Sequence, residues 1–314
     1  MDRKNTIALP IVLGPTGSGK SDLALCIATA LGGEIVSCDS LQVYRGFDLG
    51  TAKLGAAERR GIPHHLLDLI DPTQLFTAGD YARVARTCLR EIAGRDRIPI
   101  VVGGTGFYLR ALLEGLFPGP VRSPRIRDRL ARREQRKSGS LHRILSRLDP
   151  AAAARIHPSD KNKTIRALEV RLLEGRPLSA LFKLGREPLT GFQPIKLGLD
   201  PPRDLLYRKL DARSERMFES GLIAEARDLL AAGVPVDAKP FESLGYRQAL
   251  DVVQERLTLE QALACTQAAT RRYAKRQLTW FRKEHSVHWL QGFGDDEQVQ
   301  DQALAVIQQT VERG

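Results

Sequence analysis

The chain has 314 residues, 42% hydrophobic and 27% charged, with a formal net charge of +11. That length favours one large domain carrying an insertion, or two domains, with enough apolar residues for a proper core. No apolar run approaches the ~20 residues a membrane helix needs. The opening MDRKNTIALPIVLGPTGSGK passes from an apolar stretch straight into a glycine-rich loop, so no signal peptide is expected.

Cys26, Cys38, Cys88 and Cys265 are scattered, with no CxxC pair and no zinc-spaced cluster, which points to reduced thiols and a cytoplasmic protein. Basic charge alone suggests a polyanionic partner only weakly. Its distribution says more. Residues 122–147 hold ten Lys/Arg against two acids, Asp128 and Glu134, and residues 271–283 hold six with no acid.

In chain order, residues 7–13 (IALPIVL) predict a short buried strand, interrupted only by Pro10. The loop GPTGSGK follows, then helical spacing over 21–31 and a second strand over 34–38. Residues 81–93 predict a helix, 98–102 a third strand, and Gly-Gly-Thr-Gly leads into a helix over 107–113. Strands alternating with helices imply a parallel sheet wrapped by helices, an α/β fold of the P-loop type. Residues 121–192 are Arg-rich, helical in pattern and bounded by proline-containing stretches, and so predict a helical insertion domain. The core then comprises residues 1–120 and 193–314. Its second part opens with a strand over 194–199 and continues with helices over 203–220, 222–232, 246–255, 259–281 and 296–312.

Gly14-Pro15-Thr16-Gly17-Ser18-Gly19-Lys20-Ser21 matches G-x-x-x-x-G-K-[ST] in full. Glycines let backbone amides converge on phosphate oxygens, the following helix offers its positive end, and Lys20 supplies a cation. The Ser21 hydroxyl is placed to ligate Mg²⁺. The third strand ends in Gly-Gly-Thr rather than an acidic residue, and no Asn-Lys-x-Asp motif follows. A diphosphate substrate, rather than ATP, would suit such a pocket.

Asp39 follows the second strand, at the edge where open parallel sheets bind ligands. Alone it reads as a cap or turn residue; within Asp39-Ser40-Leu41-Gln42-Val43-Tyr44 it reads as functional. Thr105 lies on the same edge, with turn and site readings equally weighted. The adjacent His64 and His65 point in different directions and make a poor metal pair. Arg213 sits in a heavily charged helix, where a solvated face is the default. Within residues 268–283, Tyr273, Leu278, Trp280 and Phe281 can pack inward. That leaves Arg271, Arg272, Lys275, Arg276 and Arg282 as a cationic surface.

The strings GPTGSGKSDLA, VSCDSLQVYRGFDLGTAK, IPHHLLDLIDP, IPIVVGGTGFYLRALLEGL, RIHPSDKNKTIRALEV, SLGYRQAL and TRRYAKRQLTWFRK together resemble the bacterial tRNA dimethylallyltransferases. They keep the family's order across nearly the whole chain. The resemblance implies transfer of a dimethylallyl group from dimethylallyl diphosphate to N6 of an adenine beside the anticodon, in tRNAs reading codons that begin with U. By resemblance Asp39 is the catalytic base, and Arg213 and Thr105, also read as catalytic, match family positions near the diphosphate and the base. The phosphate loop and Mg²⁺ on Ser21 would then stabilise the departing pyrophosphate.

The implied partner is the tRNA anticodon stem-loop, met by a monomer. Its contacts would be Asp39, Ser40, Leu41, Gln42 and Thr105, then Asn162, Lys163, Thr164, Ile165 and Arg166. A third group is Glu242, Ser243, Leu244, Gly245, Tyr246 and Arg247, joined by Arg271, Arg272, Lys275 and Arg276. The chain departs from the family at Ser123, usually Asp, and at Glu242, usually basic. Lys163 and Lys209 stand where Arg is common, keeping charge without bidentate geometry. Prenyl transfer to free adenine nucleotides, a small-molecule kinase and an RNA-binding NTPase switch are the alternatives.

Overall fold

The computed structural model describes residues 6–312; residues 1–5 and 313–314, which the readings of the chain start and of the core boundaries include, lie outside them. Contacts divide the chain into two units: one runs up to Leu113 and resumes at Leu189, the other is Glu114–Pro188.

The first unit is built on one all-parallel sheet. Its strands are β1 (Ile7–Leu13), β2 (Glu34–Ser37), β3 (His64–His65), β4 (Pro99–Gly103), β5 (Phe192–Leu199) and β6 (Val287–Leu290), in the order β3-β2-β4-β1-β5-β6. Ile11, Val12, Leu13, Ile35, Val36, Ile100 and Val101 are at most 1% exposed. Burial on both faces is why these strands read as continuous apolar runs. Pro10 is tolerated because pairing with β4 begins only at Ile11. The expected α/β parallel core is therefore correct. Two edge strands were missed. β3 is only two residues long, and β6 (VHWL) buries only Leu290, too little for a periodic signal.

Helices α1 (Lys20–Leu31), α2 (Ala78–Ala93) and α3 (Gly106–Glu114) follow β1, β3 and β4. α1 buries Leu23, Ala24, Leu25, Ile27 and Ala28. α2 opens on a capping box between Thr77 and Asp80.

The second unit is all helical: α4 (Pro124–Arg136), α5 (Ser140–Leu148), α6 (Pro150–Arg155), α7 (Lys161–Glu174) and α8 (Leu178–Phe182). Leu130, Leu141, Leu145, Ala167, Leu168 and Leu181 lie in its own apolar core. Glu169 is fully buried there, accepting from Arg166 at 2.8 Å, Arg127 at 3.3 Å and the Ser123 amide at 2.8 Å. This unit starts and ends a few residues before the 121–192 read from sequence, and Phe192 already belongs to β5.

Back in the first unit, α9 (Arg203–Glu219), α10 (Leu222–Ala231), α11 (Tyr246–Val253), α12 (Leu259–Phe281) and α13 (Glu297–Glu312) complete the chain. α12 packs on α9 and α11, while α13 packs on α1.

Candidate active site

In a parallel sheet every strand delivers its following loop to the same edge. The phosphate loop after β1, Asp39 after β2 and Thr105 after β4 therefore meet, because β2, β4 and β1 are neighbours. The phosphate loop curls through left-handed backbone at Gly17 (φ 76°) and Gly19 (φ 81°). A Cβ on Gly19 would stand 2.7 Å from the amide nitrogen of Gly294, so only glycine fits there. Ser18 is buried, its hydroxyl donating to the Pro15 carbonyl at 2.8 Å. Lys20 donates to the same carbonyl at 2.7 Å.

Asp39 is a turn residue and a site residue at once. Its Oδ1 accepts the amides of Leu41 at 2.8 Å and Gln42 at 3.4 Å, fixing the carboxylate while leaving Oδ2 outside those bonds. Thr105 holds this loop: its hydroxyl accepts the Ser40 amide at 3.2 Å, and its own amide donates to the Cys38 carbonyl at 3.3 Å. Gln42 accepts from the Ser37 hydroxyl at 3.1 Å and donates to the Thr51 carbonyl at 3.2 Å. It serves the loop as well as the surface.

Arg213 corrects the expectation of a solvated helix face. It is half-buried on α9 and donates to the Thr16 hydroxyl at 3.4 Å. With Thr16, Asp39, Ser40, Leu41, Tyr273 and Arg276 it lines a cavity of about 390 Å³. Among the described residues neither Lys20 nor Arg213 forms an ion pair with a carboxylate. Burial, then the neighbouring charge of Arg213, lowers Lys20 to about 7, with Asp39 pulling the other way. Burial likewise lowers Arg213, and Asp39 again opposes it. Tyr273 is pushed up to about 12 by burial and by the charge of Asp39. The site holds cations with too little counter-charge, the condition an anionic ligand relieves.

Some expected contacts are structural instead. Thr164 and Ile165 are buried on α7, so their side chains cannot meet an external ligand. Arg166 is committed to Glu169 and to the Pro120 carbonyl at 3.0 Å. Asn162 and Lys163 are exposed, the latter pairing with Asp160 at 2.7 Å. Ser123 caps α4 through the Ile126 amide. Tyr246 is fully buried, bonded to Glu225 and accepting the Gly50 amide at 3.3 Å. Gly245 caps α11, while Ser243 bonds the Pro240 carbonyl at 2.6 Å. Glu242, Ser243 and Leu244 line the cavity, Glu242 paired with Lys239, and Arg247 is exposed.

On α12, Trp280 is 37% exposed rather than packed inward, with the Arg110 guanidinium 4.8 Å from its ring centroid. Arg271 pairs with Asp211 at 2.6 Å and Arg282 with Asp200 at 3.1 Å. Arg272, Lys275 and Arg276 are therefore what remains of the expected cationic face.

Two contributors escaped the sequence reading. The segment from Gln291 to Asp296 backs the phosphate loop: the Gly294 amide donates to the Ser18 carbonyl at 2.9 Å, and Asp295 pairs with Lys209 at 2.9 Å. Gln277 is buried on α12 among Ala274 and Phe281. Its signal was a lone amide at helical spacing on an apolar face.

The IPP transferase family model matches residues 42–284. The chain belongs to the IPP transferase family. It is 58% identical over 296 residues to the tRNA dimethylallyltransferase of Solibacter usitatus (strain Ellin6076), covering 94% of this chain and 96% of that one. Against the tRNA dimethylallyltransferase of Koribacter versatilis (strain Ellin345) it is 53% identical over 298 residues, covering 95% and 97%. Among solved IPP transferases, the full-length tRNA isopentenylpyrophosphate transferase of Bacillus halodurans aligns with a TM-score of 0.70 at 35% identity, over 98% of this chain and 99% of that one. A eukaryotic dimethylallyltransferase acting on tRNA aligns with a TM-score of 0.79 at 27% identity, over 95% and 77%.

Proposed function

We propose that this IPP transferase is a tRNA dimethylallyltransferase. It moves the dimethylallyl group of dimethylallyl diphosphate to N6 of the adenine beside the anticodon, in tRNAs reading codons that begin with U, and releases pyrophosphate. The observation that carries this is the pairing on one sheet edge of an under-neutralised phosphate loop with a carboxylate held by backbone amides. The relatives from Solibacter usitatus and Koribacter versatilis are named tRNA dimethylallyltransferase, which supports the dimethylallyl transfer to tRNA.

The adenine N6 lone pair is delocalised into the ring, so the amine is a poor nucleophile. As nitrogen bonds to C1 of the prenyl group, the C1–O bond breaks and its electron pair leaves with the pyrophosphate. Asp39 takes the N6 proton, an effect typically worth ~10²–10⁴-fold. Lys20, Arg213, Thr16 and the loop amides meet charge that grows on the departing oxygens, so they bind the transition state more strongly than the ground state. An adenine in a stem-loop must leave its stack to enter such a cavity.

Mg²⁺ fits the residues present. Ser21 is half-buried in the first turn of α1, beside Lys20, and Mg²⁺ needs few protein ligands when phosphate oxygens and water complete its shell. When bound it neutralises charge on the diphosphate. Cytoplasmic action as a monomer belongs to the same reading.

Labelled dimethylallyl diphosphate competed against ATP tests the assignment. Displacement of the prenyl donor by pyrophosphate, but not by equimolar ATP, is expected. Preferential retention of ATP would favour a kinase.

A further inference from the structure

Three loops must hold register for transfer to occur, and one side chain from elsewhere in the chain ties them. The Oε1 of Gln277 accepts the Thr16 amide at 2.8 Å, and its Nε2 donates to the Gly104 carbonyl at 2.9 Å. The side chain is 6% exposed and uses both ends of its amide. Gly104 precedes Thr105, which holds the loop of Asp39 through the Ser40 amide and the Cys38 carbonyl. One continuous path thus runs from the phosphate loop, through an amide on α12, to the turn carrying the carboxylate. The fit is tight. A Cβ on Gly104 would come within 2.2 Å of Nε2, so the glycine lets the amide approach.

The Thr16 amide belongs to the phosphate loop yet points at a protein acceptor. That commitment makes Gln277 a strut for the loop rather than a ligand of the diphosphate.

We infer that Gln277 is a positioning residue for prenyl transfer, setting the separation between the phosphate loop that holds the leaving group and the turn that holds the base. The inference rests on the transferase reading above. Misplacing reacting groups by about 1 Å can cost ~10²-fold in rate with little change in binding.

The test compares the single-turnover transfer rate with pyrophosphate affinity in wild type, Gln277→Met, Gln277→Glu, Asp39→Asn and Gln277→Met/Asp39→Asn. Gln277→Met keeps the length and loses both hydrogen bonds; Gln277→Glu keeps an acceptor for the Thr16 amide but turns a second acceptor on the Gly104 carbonyl, so only one of the two bonds returns. Gln277→Met should slow transfer by ~10–100-fold while binding pyrophosphate within about threefold of wild type. Gln277→Glu should recover part of the rate. The double variant should be little slower than Asp39→Asn, because a misplaced base has less to lose.

Wild-type transfer by Gln277→Met overturns the inference. So does a loss of pyrophosphate affinity matching the loss of rate, since that marks a merely structural side chain. If the wild type prenylates RNA and Gln277→Met does so at the wild-type rate, only the inference falls. A wild type that transfers nothing takes the transferase reading down with it.

Discussion

At the scale of single residues the proposed chemistry rests on two groups, Asp39 and Lys20. Asp39→Ala should leave tRNA binding within severalfold while turnover falls at least ~10²-fold; steady-state kinetics beside a filter-binding isotherm decide this, and normal turnover removes Asp39 from the mechanism. Lys20 makes a prediction in pH. Its folded value of about 7, against 10.5 ordinarily, means that without ligand it opposes folding most fully below pH ~7, a cost relieved as pH rises from about 7 towards 10.5. At pH 7 Lys20→Met should therefore melt no lower than wild type, and a clear drop in Tm would contradict that. A bound diphosphate favours the ammonium, so binding near pH 8 should draw in a proton and affinity should weaken as pH rises through about 7. Calorimetry in buffers of different ionisation enthalpy measures the uptake. Lys20→Arg keeps its charge throughout and should lack the extra proton; equal uptake in both proteins would contradict the account.

At the scale of elements the insertion unit offers a stability prediction. Glu169→Ala strands Arg127, Arg166 and the Ser123 amide around a site that is fully buried. Breaking such a network costs about 3 kcal/mol, and hydrogen exchange over 124–174 should quicken accordingly; unchanged protection would show that the pairs contribute little. Much of the core's architecture was legible beforehand. A helix over 259–281 was read where α12 runs Leu259–Phe281, and the strand over 7–13 matches β1. These elements bury their apolar residues with a period that sequence displays. β3 and β6 were illegible because pairing with a neighbouring strand, not a burial period of their own, makes them strands. At the site, the phosphate loop and Asp39 were visible since each follows a strand. Arg213 was visible only through the family resemblance, because by its own surroundings a recessed arginine on a charged helix looks like any solvated one until the phosphate loop is folded against it. Thr164, Ile165 and Tyr246 fail as contacts for the opposite reason: each lies in a string shared with the family, but core packing explains its presence there.

At the scale of the whole molecule, net charge of +11 gives RNA affinity a salt dependence that can be counted. Each phosphate neutralised adds roughly 0.7–0.9 to the slope of log affinity against log salt. Replacing Arg272, Lys275 and Arg276 by Ser should flatten that slope by about 2, whereas an unchanged slope would place the RNA elsewhere. The central claim is that the glycine turn after β1 grips the pyrophosphate of a prenyl donor while Asp39 receives the proton of an RNA amine. It is tested most directly by mass spectrometry of undermodified tRNA incubated with the protein, Mg²⁺ and dimethylallyl diphosphate. The account predicts one dimethylallyl group on the adenine beside the anticodon, with pyrophosphate released in equal amount. ATP consumed in its place, with no isoprenoid on the RNA, would contradict it.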